Sequence, residues 1–318
     1  MDLVQLIHYL SVGLCTFVPS LGVSFGQAKA AEACFDSMNT QPAAQDELSK
    51  TTIIALALIE TAGLLGLISA LLLTFHKTET LDVALAELGI VAAICITGFM
   101  TAIVSSIPAK EALISTARQP FATSARKIAN LMILCQSLIQ TPLAFGFIIT
   151  LLIYYQLNLV NTLGHAITLI ATGLCIGLAS IGPAIGGGIF TKSCCKSVGL
   201  NNTIYNKIIS FTIISQAIIE TPVIFAVIIS FWLLSIASSV SNILSIVAIS
   251  IACLMGLGTL AAGIGSGITA ASGANQLPFI EDKYYNALSK TTIIAQGLID
   301  TSAIYAFMVS IVLILTAL

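Results

Sequence analysis

Charged side chains are scarce in this sequence, and their scarcity excludes a water-soluble fold. Only 8% of its 318 residues are Asp, Glu, Lys or Arg, whereas 57% are hydrophobic. Soluble domains carry roughly 25% charged residues, so this composition does not provide a surface that faces water. Apolar runs recur instead, and each is long enough to cross a ~30 Å hydrocarbon core as a helix. We therefore predict an all-α membrane protein.

Motifs of several other protein classes are also missing. The N-terminus, Met1-Asp2-Leu3-Val4, lacks the basic start of a cleavable signal peptide, which favours a permanent first span. The cysteines and histidines show no spacing typical of a metal site, and cysteine in an apolar run acts as a small hydrophobe. We find no nucleotide-binding loop or catalytic triad in the sequence, so we expect no catalysis by the chain itself.

One segment returns at a fixed interval of 80 residues. The stretch at 48–55, LSKTTIIA, recurs unchanged at 288–295. Each copy leads to an acidic residue followed by threonine, and two related segments lie between them at the same interval. The four positions of this register are Glu60, Gln140, Glu220 and Asp300. Such a constant interval indicates that one ancestral unit has been copied four times.

Each copy is predicted to be a helical hairpin, so that the chain has eight spans. The units cover residues 1–78, 79–158, 159–238 and 239–318. Polar loops separate the two helices of each unit, near 39–47, 118–124, 199–203 and 276–283. Glycine is concentrated in the first helices, where it allows backbones to approach closely, so we expect an inner layer there. The bulkier second helices suit an outer layer that faces lipid.

The basic residues predict the orientation in the membrane. Eleven of the twelve Lys and Arg residues lie on or beside the hairpin loops, and only Lys77 lies on the other side. The positive-inside rule then places the loops in the cytoplasm and both termini outside. We expect a multi-pass protein of an inner or plasma membrane. Glu87 and His8 fall near the outer surface, where we expect them to be interfacial.

Three carboxyl groups lie deep in apolar segments. Glu60, Glu220 and Asp300 are each about midway along a second helix. A charge at that depth costs at least ~2.5 kcal/mol, so the group stays protonated, coordinates a cation or faces a water-filled pathway. A neutral carboxyl that only bonds a neighbouring helix is the structural alternative, but three such groups at one register indicate a repeated working part. Gln140 cannot exchange a proton, and we expect its unit to be inactive.

The combined pattern resembles the c subunit of rotary ATP synthases, the proteolipid that forms the membrane rotor ring. Family members are usually one hairpin with a glycine-rich first helix, an Arg-Gln-Pro-type loop and one carboxylate in the second helix. Matching segments here are Arg118-Gln119-Pro120, Thr40-Gln41-Pro42, Gly182-Pro183-Ala184-Ile185-Gly186 and Ala28-Lys29-Ala30-Ala31-Glu32-Ala33. The likeness extends over essentially the whole chain, four times in succession.

The resemblance implies a mechanism and a set of partners. Glu60, Glu220 and Asp300 would each take an ion from a stator subunit that carries an arginine, and would move it past membrane lipid in a homo-oligomeric ring. The cytoplasmic loops would contact central-stalk subunits. The resemblance implies neither a cofactor nor a nucleic-acid partner. Fused hairpins with a lost carboxylate also occur in vacuolar-type proteolipids, which are the nearest alternative.

The resemblance leaves the ion open between H+ and Na+. Sodium-type members add a first-helix glutamine and a hydroxyl beside the carboxylate. The candidate supporting ligands are Gln27, Thr61, Gln216, Thr221, Ser266, Gln296, Thr301, Ser302 and Tyr305. They are unequal between units, since Gly187 stands where a first-helix ligand would serve Glu220. We therefore favour protons.

A secondary transporter is the alternative from another functional class. Such transporters commonly use inverted repeats and broken helices around one midplane site. Here the repeats are parallel and the ionisable groups are spread over separate units, which favours a rotor.

Overall fold

The computed structural model describes residues 3–242 and 245–317, and these residues form ten α-helices. In chain order they are α1 (Leu3–Thr40), α2 (Gln45–Thr74), α3 (Leu81–Arg118), α4 (Ala122–Ile139), α5 (Thr141–Gln156), α6 (Leu163–Leu200), α7 (Tyr205–Ile236), α8 (Ser245–Gln276), α9 (Tyr285–Ile299) and α10 (Thr301–Ala317). Met1, Asp2 and Leu318, which the sequence analysis assigns to the ends of the first and last units, lie outside the described residues.

Across the described ranges, eight helical stretches are long and apolar enough to span a membrane. Two of them consist of a pair of helices, α4 with α5 and α9 with α10, because each pair is separated by a single residue. The remaining six are single α-helices, of which two are extended by a turn of 3-10 helix at one or both ends. The predicted arrangement of four helical hairpins is confirmed, and the chain is an all-α membrane protein.

The first helices of the hairpins form one layer. α1 packs against α3, α3 against α6, and α6 against α8. The second helices form another layer on top of it, with α2 on α1, α4 and α5 on α3, α7 on α6, and α9 and α10 on α8. The ends of the inner row are α1 and α8, each of which packs against a single neighbour within its layer.

Glycine sets the distance between α6 and α8. A Cβ atom added to Gly186 would clash with the carbonyl oxygen of Gly263, and one added to Gly267 would clash with the backbone of Gly186. Because both contacts are made by backbone atoms, no side-chain movement can relieve them. Close backbone approach through small residues is the usual way in which membrane helices pack tightly.

Glu87 is buried at the end of the inner layer that lies opposite the hairpin loops. Its side chain is 0% exposed. One carboxyl oxygen lies 2.9 Å from His8 Nδ1 on α1, and the hydroxyl of Thr78, in the link before α3, donates to the same oxygen. We expected Glu87 to be interfacial; it does lie near a helix end, but it is enclosed between the first two units.

Candidate functional site

The four positions of the 80-residue register lie on the second helices, but the local backbone differs between them. Glu60 lies within α2 and Glu220 within α7, whereas Gln140 separates α4 from α5. Pro142 contributes to that interruption because it has no N–H to donate, yet α7 continues past Glu220 although Pro222 follows.

Asp300 separates α9 from α10 without a proline nearby. The hydroxyl of Thr301 donates to the Leu298 carbonyl at 2.7 Å, and that of Ser302 lies 3.4 Å from the Ile299 carbonyl. Hydroxyls in such positions compete with the helical hydrogen bonds of the backbone. Thr301 and Ser302 therefore serve the backbone here rather than Asp300.

Glu60 receives a hydrogen bond from the first helix of its own unit. Gln27 Nε2 donates to a Glu60 carboxyl oxygen at 2.6 Å and lies 3.2 Å from the Leu56 carbonyl oxygen. The sequence spacing predicts that these two side chains are level, and the structure brings them together. The rest of the Glu60 side chain is exposed.

Gln140 links its unit to the preceding one. Its Nε2 donates to the Leu58 carbonyl at 2.5 Å, and its Oε1 accepts a bond of 2.8 Å from the Thr61 hydroxyl. Both partners belong to α2. Thr61, which was predicted as a possible ligand beside Glu60, therefore faces the second unit. An amide makes both bonds at once and keeps them at any pH.

Glu220 is almost enclosed, with 8% of its surface exposed. Gln216, one helical turn earlier, donates to its carboxyl at 2.9 Å. The Thr141 side chain of the preceding unit lies near the same carboxyl. A Cβ atom on Gly187 would come within 2.6 Å of Gln216 Nε2. Gly187 thus makes room for the Gln216 side chain.

Asp300 is also buried, at 5% exposure, and its Oδ1 atom has no hydrogen-bond partner within the described residues. Gln296 does not reach it, but donates instead to the Ser215 carbonyl and to Ser266 Oγ, at 3.1 and 3.2 Å. Tyr305 is 66% exposed. Of the supporting ligands expected around Asp300, none has its polar atoms bonded to the carboxyl in the part of the chain that the structure describes.

A role for the preceding unit was missed by sequence reasoning. Thr61 bonds Gln140, and Thr141 lies beside Glu220, in each case 79 residues earlier in the chain. Thr221 departs from this pattern and donates to its own helix, at the Ala217 carbonyl. The constant interval between threonine and register position was visible in the sequence, but which neighbour the hydroxyl faces depends on how the units pack.

The three carboxyls differ in their surroundings, since an amide donates to Glu60 and to Glu220, whereas Asp300 Oδ1 has no hydrogen-bond partner among the described residues. None of the ion pairs among the described residues involves Glu60, Glu220 or Asp300. An isolated buried carboxylate is strongly disfavoured, so such a group is accommodated when it carries a proton or pairs with a small cation. The arrangement can therefore hold one monovalent ion at each carboxyl.

Comparison with known proteins gives a consistent set of relatives. The sequence profile of the ATP synthase C subunit family matches residues 10–73 and 170–233, stretches that contain Glu60 and Glu220. An ATP synthase c subunit of Chloroflexus aurantiacus is 35% identical over 67 residues, which cover 21% of this chain and 88% of the relative. One ATP synthase c subunit of Cereibacter sphaeroides is 35% identical over 79 residues, which cover 25% of this chain and 95% of the relative. An ATP synthase c subunit of Dehalococcoides mccartyi is 38% identical over 71 residues, which cover 22% of this chain and 93% of the relative.

Each of these relatives corresponds in length to about one hairpin. The present chain is about four times as long, which is consistent with a fusion of such units.

Proposed function

Because the chain belongs to the family of ATP synthase c subunits, we propose that it is a rotor component that carries ions on Glu60, Glu220 and Asp300. The observation that supports these three sites most directly is that they occupy positions of one 80-residue register on the second helices, whose remaining position is Gln140. Each of the four units, 1–78, 79–158, 159–238 and 239–318, supplies one position, and the second supplies Gln140, which carries no ion.

The proposed cycle follows from the cost of charge in lipid. A loaded carboxyl is neutral and can face the hydrocarbon, whereas the empty anion requires a polar pathway or a cationic partner. We propose that a stator subunit with an arginine supplies that pathway, and that rotation moves each loaded site past lipid between entry and exit. One charge that crosses 100 mV yields about 2.3 kcal/mol, so several ions must pass for each ATP.

We propose H+ as the transported ion, and the unequal surroundings of the three carboxyls support this choice. Sodium needs several oxygen ligands at once, whereas Asp300 Oδ1 has no bonded partner among the described residues. A proton needs only the carboxyl itself. The contact between Gln27 and Glu60 favours Na+ as the second candidate at that one site, because it provides a first-helix amide.

We propose that the hairpin loops lie in the cytoplasm of a cell bounded by this inner or plasma membrane, and that central-stalk subunits bind there. The positive-inside rule supports the orientation. A vacuolar-type complex is the alternative setting for the same rotor, and the lost carboxylate at Gln140 favours it.

Labelling with a hydrophobic carbodiimide tests the proposal, because the reagent modifies protonated carboxyls in membranes. We expect adducts on Glu60, Glu220 and Asp300 of the assembled complex, found by mass spectrometry of peptides, together with loss of ATPase-coupled transport. Gln140 serves as an internal control that stays unmodified. Protection by Na+ at constant pH would favour sodium, and protection only at high pH would favour protons. Full transport after modification of all three sites would contradict the proposal.

A further inference from the structure

We propose that Glu87 and His8 form a proton-binding site outside the ion register, and that its proton holds the first two units together at the end opposite the hairpin loops. Glu87 lies on α3 of the second unit and His8 on α1 of the first. The positions one or more repeats away from Glu87 are Ile7, Ile167 and Val247, so no other unit has a carboxyl there. The site therefore belongs to one contact between units and not to the repeated ion carriers.

The pair is enclosed on the side of the carboxyl and open on the side of the histidine. The Glu87 side chain is 0% exposed, whereas that of His8 is 12% exposed. A carboxylate in such an enclosure is strongly disfavoured unless hydrogen-bond donors and a positive charge compensate it. A proton can reach the pair from water through His8, because its side chain meets solvent.

The geometry of the hydrogen bonds favours a proton on His8. Both Glu87 carboxyl oxygens lie near the same nitrogen, at 2.9 and 3.1 Å from His8 Nδ1. The Thr78 hydroxyl donates to one of those oxygens and lies 3.1 Å from Nδ1. Because the hydroxyl has a single hydrogen, its oxygen can only accept from Nδ1. Nδ1 is therefore a donor, and the buried negative charge beside it favours the cationic, doubly protonated ring.

The other groups around the pair do not supply this positive charge. His76, in the link between α2 and α3, and Cys15 on α1 are both in electrostatic contact with Glu87. Burial lowers the pKa of His76, although Glu87 acts in the opposite direction. The ring of Tyr9 lies against that of His8, with the centroids 5.4 Å apart, and carries no charge. The described ion pairs do not include the charged residues nearest to the pair in sequence, which are Lys77, Glu79 and Asp82.

A second buried carboxyl shows how the choice of cation matters. Glu111 is 7% exposed and lies 3.5 Å from the guanidinium of Arg118. Arginine stays charged at every physiological pH, so that contact does not depend on protonation. Histidine is the side chain whose charge normally changes between about pH 5 and 8. Of the two pairs, the one between Glu87 and His8 is therefore the one that a change of pH can break.

Loss of the proton leaves the Glu87 carboxylate buried without a positive partner. Removal of one member of a buried ion pair is strongly destabilising, because the remaining charge stays desolvated. Water must then enter at Glu87, which requires α1 to move away from α3 at this end. The contact is thus closed when the pH on this side of the membrane is low and opens as that pH rises. The contact that Gln140 makes with α2 is unaffected, since its amide has no proton to lose.

Infrared difference spectroscopy of the purified full chain tests where the proton lies. Subtraction of the Glu87→Gln spectrum from that of the unmodified chain isolates this carboxyl, and isotope-labelled histidine identifies the imidazole bands. At about pH 6 we expect a carboxylate band from Glu87 together with a protonated imidazole, which is lost as the pH is raised to about 9. A neutral carboxylic acid at Glu87 at about pH 6, or a His8 ring that stays neutral throughout, would overturn the proposal.

Melting temperatures at several pH values test whether the proton holds the two units together. Between about pH 6 and 9, we expect the melting temperature of the unmodified chain to fall by several degrees more than that of Glu87→Gln. The register carboxyls are the same in both, so their own titration cancels. Glu79→Gln is the matched control, because it removes an exposed carboxyl from the adjacent link and should behave like the unmodified chain.

A double variant covers the case in which a single substitution prevents folding. His8→Gln alone leaves the Glu87 carboxylate without its cation, whereas His8→Gln combined with Glu87→Gln replaces the pair by two neutral amides. We expect the double variant to melt with the weaker pH dependence of Glu87→Gln. The same pH dependence in the unmodified chain and in both the single Glu87→Gln and the double variant would overturn the proposal. Each variant retains Glu60, Glu220 and Asp300, so that result would leave the proposed ion carriers intact.

Discussion

At the scale of single residues, Gln140 and the three carboxyls differ in how their bonds depend on protonation. The Gln140 amide binds the Leu58 carbonyl and the Thr61 hydroxyl together. A carboxyl in the same place could donate to Leu58 only while it carries a proton. Gln140 therefore keeps the contact between the first and second units at any pH, but its unit lacks an ion site.

The substitution Gln140→Glu should create a fourth ion site and weaken the contact between the first and second units. We expect a carbodiimide adduct at residue 140. When the new group is ionised, we expect the free energy of unfolding to fall by about 1–3 kcal/mol, because residue 140 then no longer donates to the Leu58 carbonyl. Mass spectrometry and thermal melting of the purified ring measure the two effects. The control is Gln45→Glu at the exposed start of α2, which should leave melting unchanged. An unmodified residue 140 would contradict the first expectation.

Substitutions of Gln27 and Gln216 test two separate hydrogen bonds, each to a different carboxyl. Gln27→Leu removes the donor to Glu60, and Gln216→Leu removes the donor to Glu220. Each should change the modification rate of its own carboxyl by about two- to tenfold, the worth of one hydrogen bond, and leave the other unaffected. Peptide-resolved labelling kinetics give both rates in one experiment. Equal effects of either variant on both carboxyls would contradict these separate pairings.

Sequence spacing predicted how far along its helix each side chain lies better than it predicted which side of the helix the side chain occupies. It placed Gln27 level with Glu60, and the two side chains are bonded. It also named Ser266 as a candidate supporting ligand, but Ser266 accepts a hydrogen bond from Gln296 and is not bonded to a carboxyl. Gly187 was interpreted as a missing ligand, whereas it leaves space for Gln216. Which side of a helix faces a neighbour depends on how the units pack. A single sequence does not determine the rotation of each helix about its own axis.

At the scale of helices, the sequence predicted the spans and their layering because length and glycine content determine both. The interruption at Asp300 was not predicted, since no proline lies near it in the sequence. Pro222 shows the reverse, because α7 continues through it. Neighbouring helices and side chains decide whether a membrane helix remains continuous at such residues.

The contact between α6 and α8 predicts a strong effect for a very small change. Gly186→Ala places a methyl group against the backbone of Gly263, so we expect a loss of about 1–3 kcal/mol from overpacking. Gly13→Ala is the matched control, because its added Cβ meets nothing within 4 Å. Thermal unfolding in detergent should separate the two variants by several degrees. Equal melting temperatures would show that α6 and α8 can shift apart freely.

At the scale of the whole molecule, the fusion sets the composition of any ring built from this chain alone. The number of hairpins must be a multiple of four, and three quarters of them carry a carboxyl at the register position. Fewer ions per turn mean fewer ions per ATP, so each ion must supply more driving force. Such a low ion-to-ATP ratio favours ATP-driven pumping, or ATP synthesis driven by a strong ion gradient.

Imaging of the isolated ring tests this composition. We expect a hairpin count that is divisible by four, with three ion sites for every four hairpins. Electron microscopy of the ring counts the hairpins, and the stoichiometry of carbodiimide labelling at saturation counts the sites. A count that is not divisible by four would require either a second type of rotor protein or an incomplete chain in the ring.

The short links between hairpins change the order of the assembly reaction. Residues 75–80 join the first two hairpins, so their meeting depends on a local effective concentration rather than on encounter by diffusion in the bilayer. The same holds for the other two internal joints, because their links are also short. Dilution of the protein in lipid should therefore separate whole chains from one another long before it separates any hairpin from its covalent neighbour.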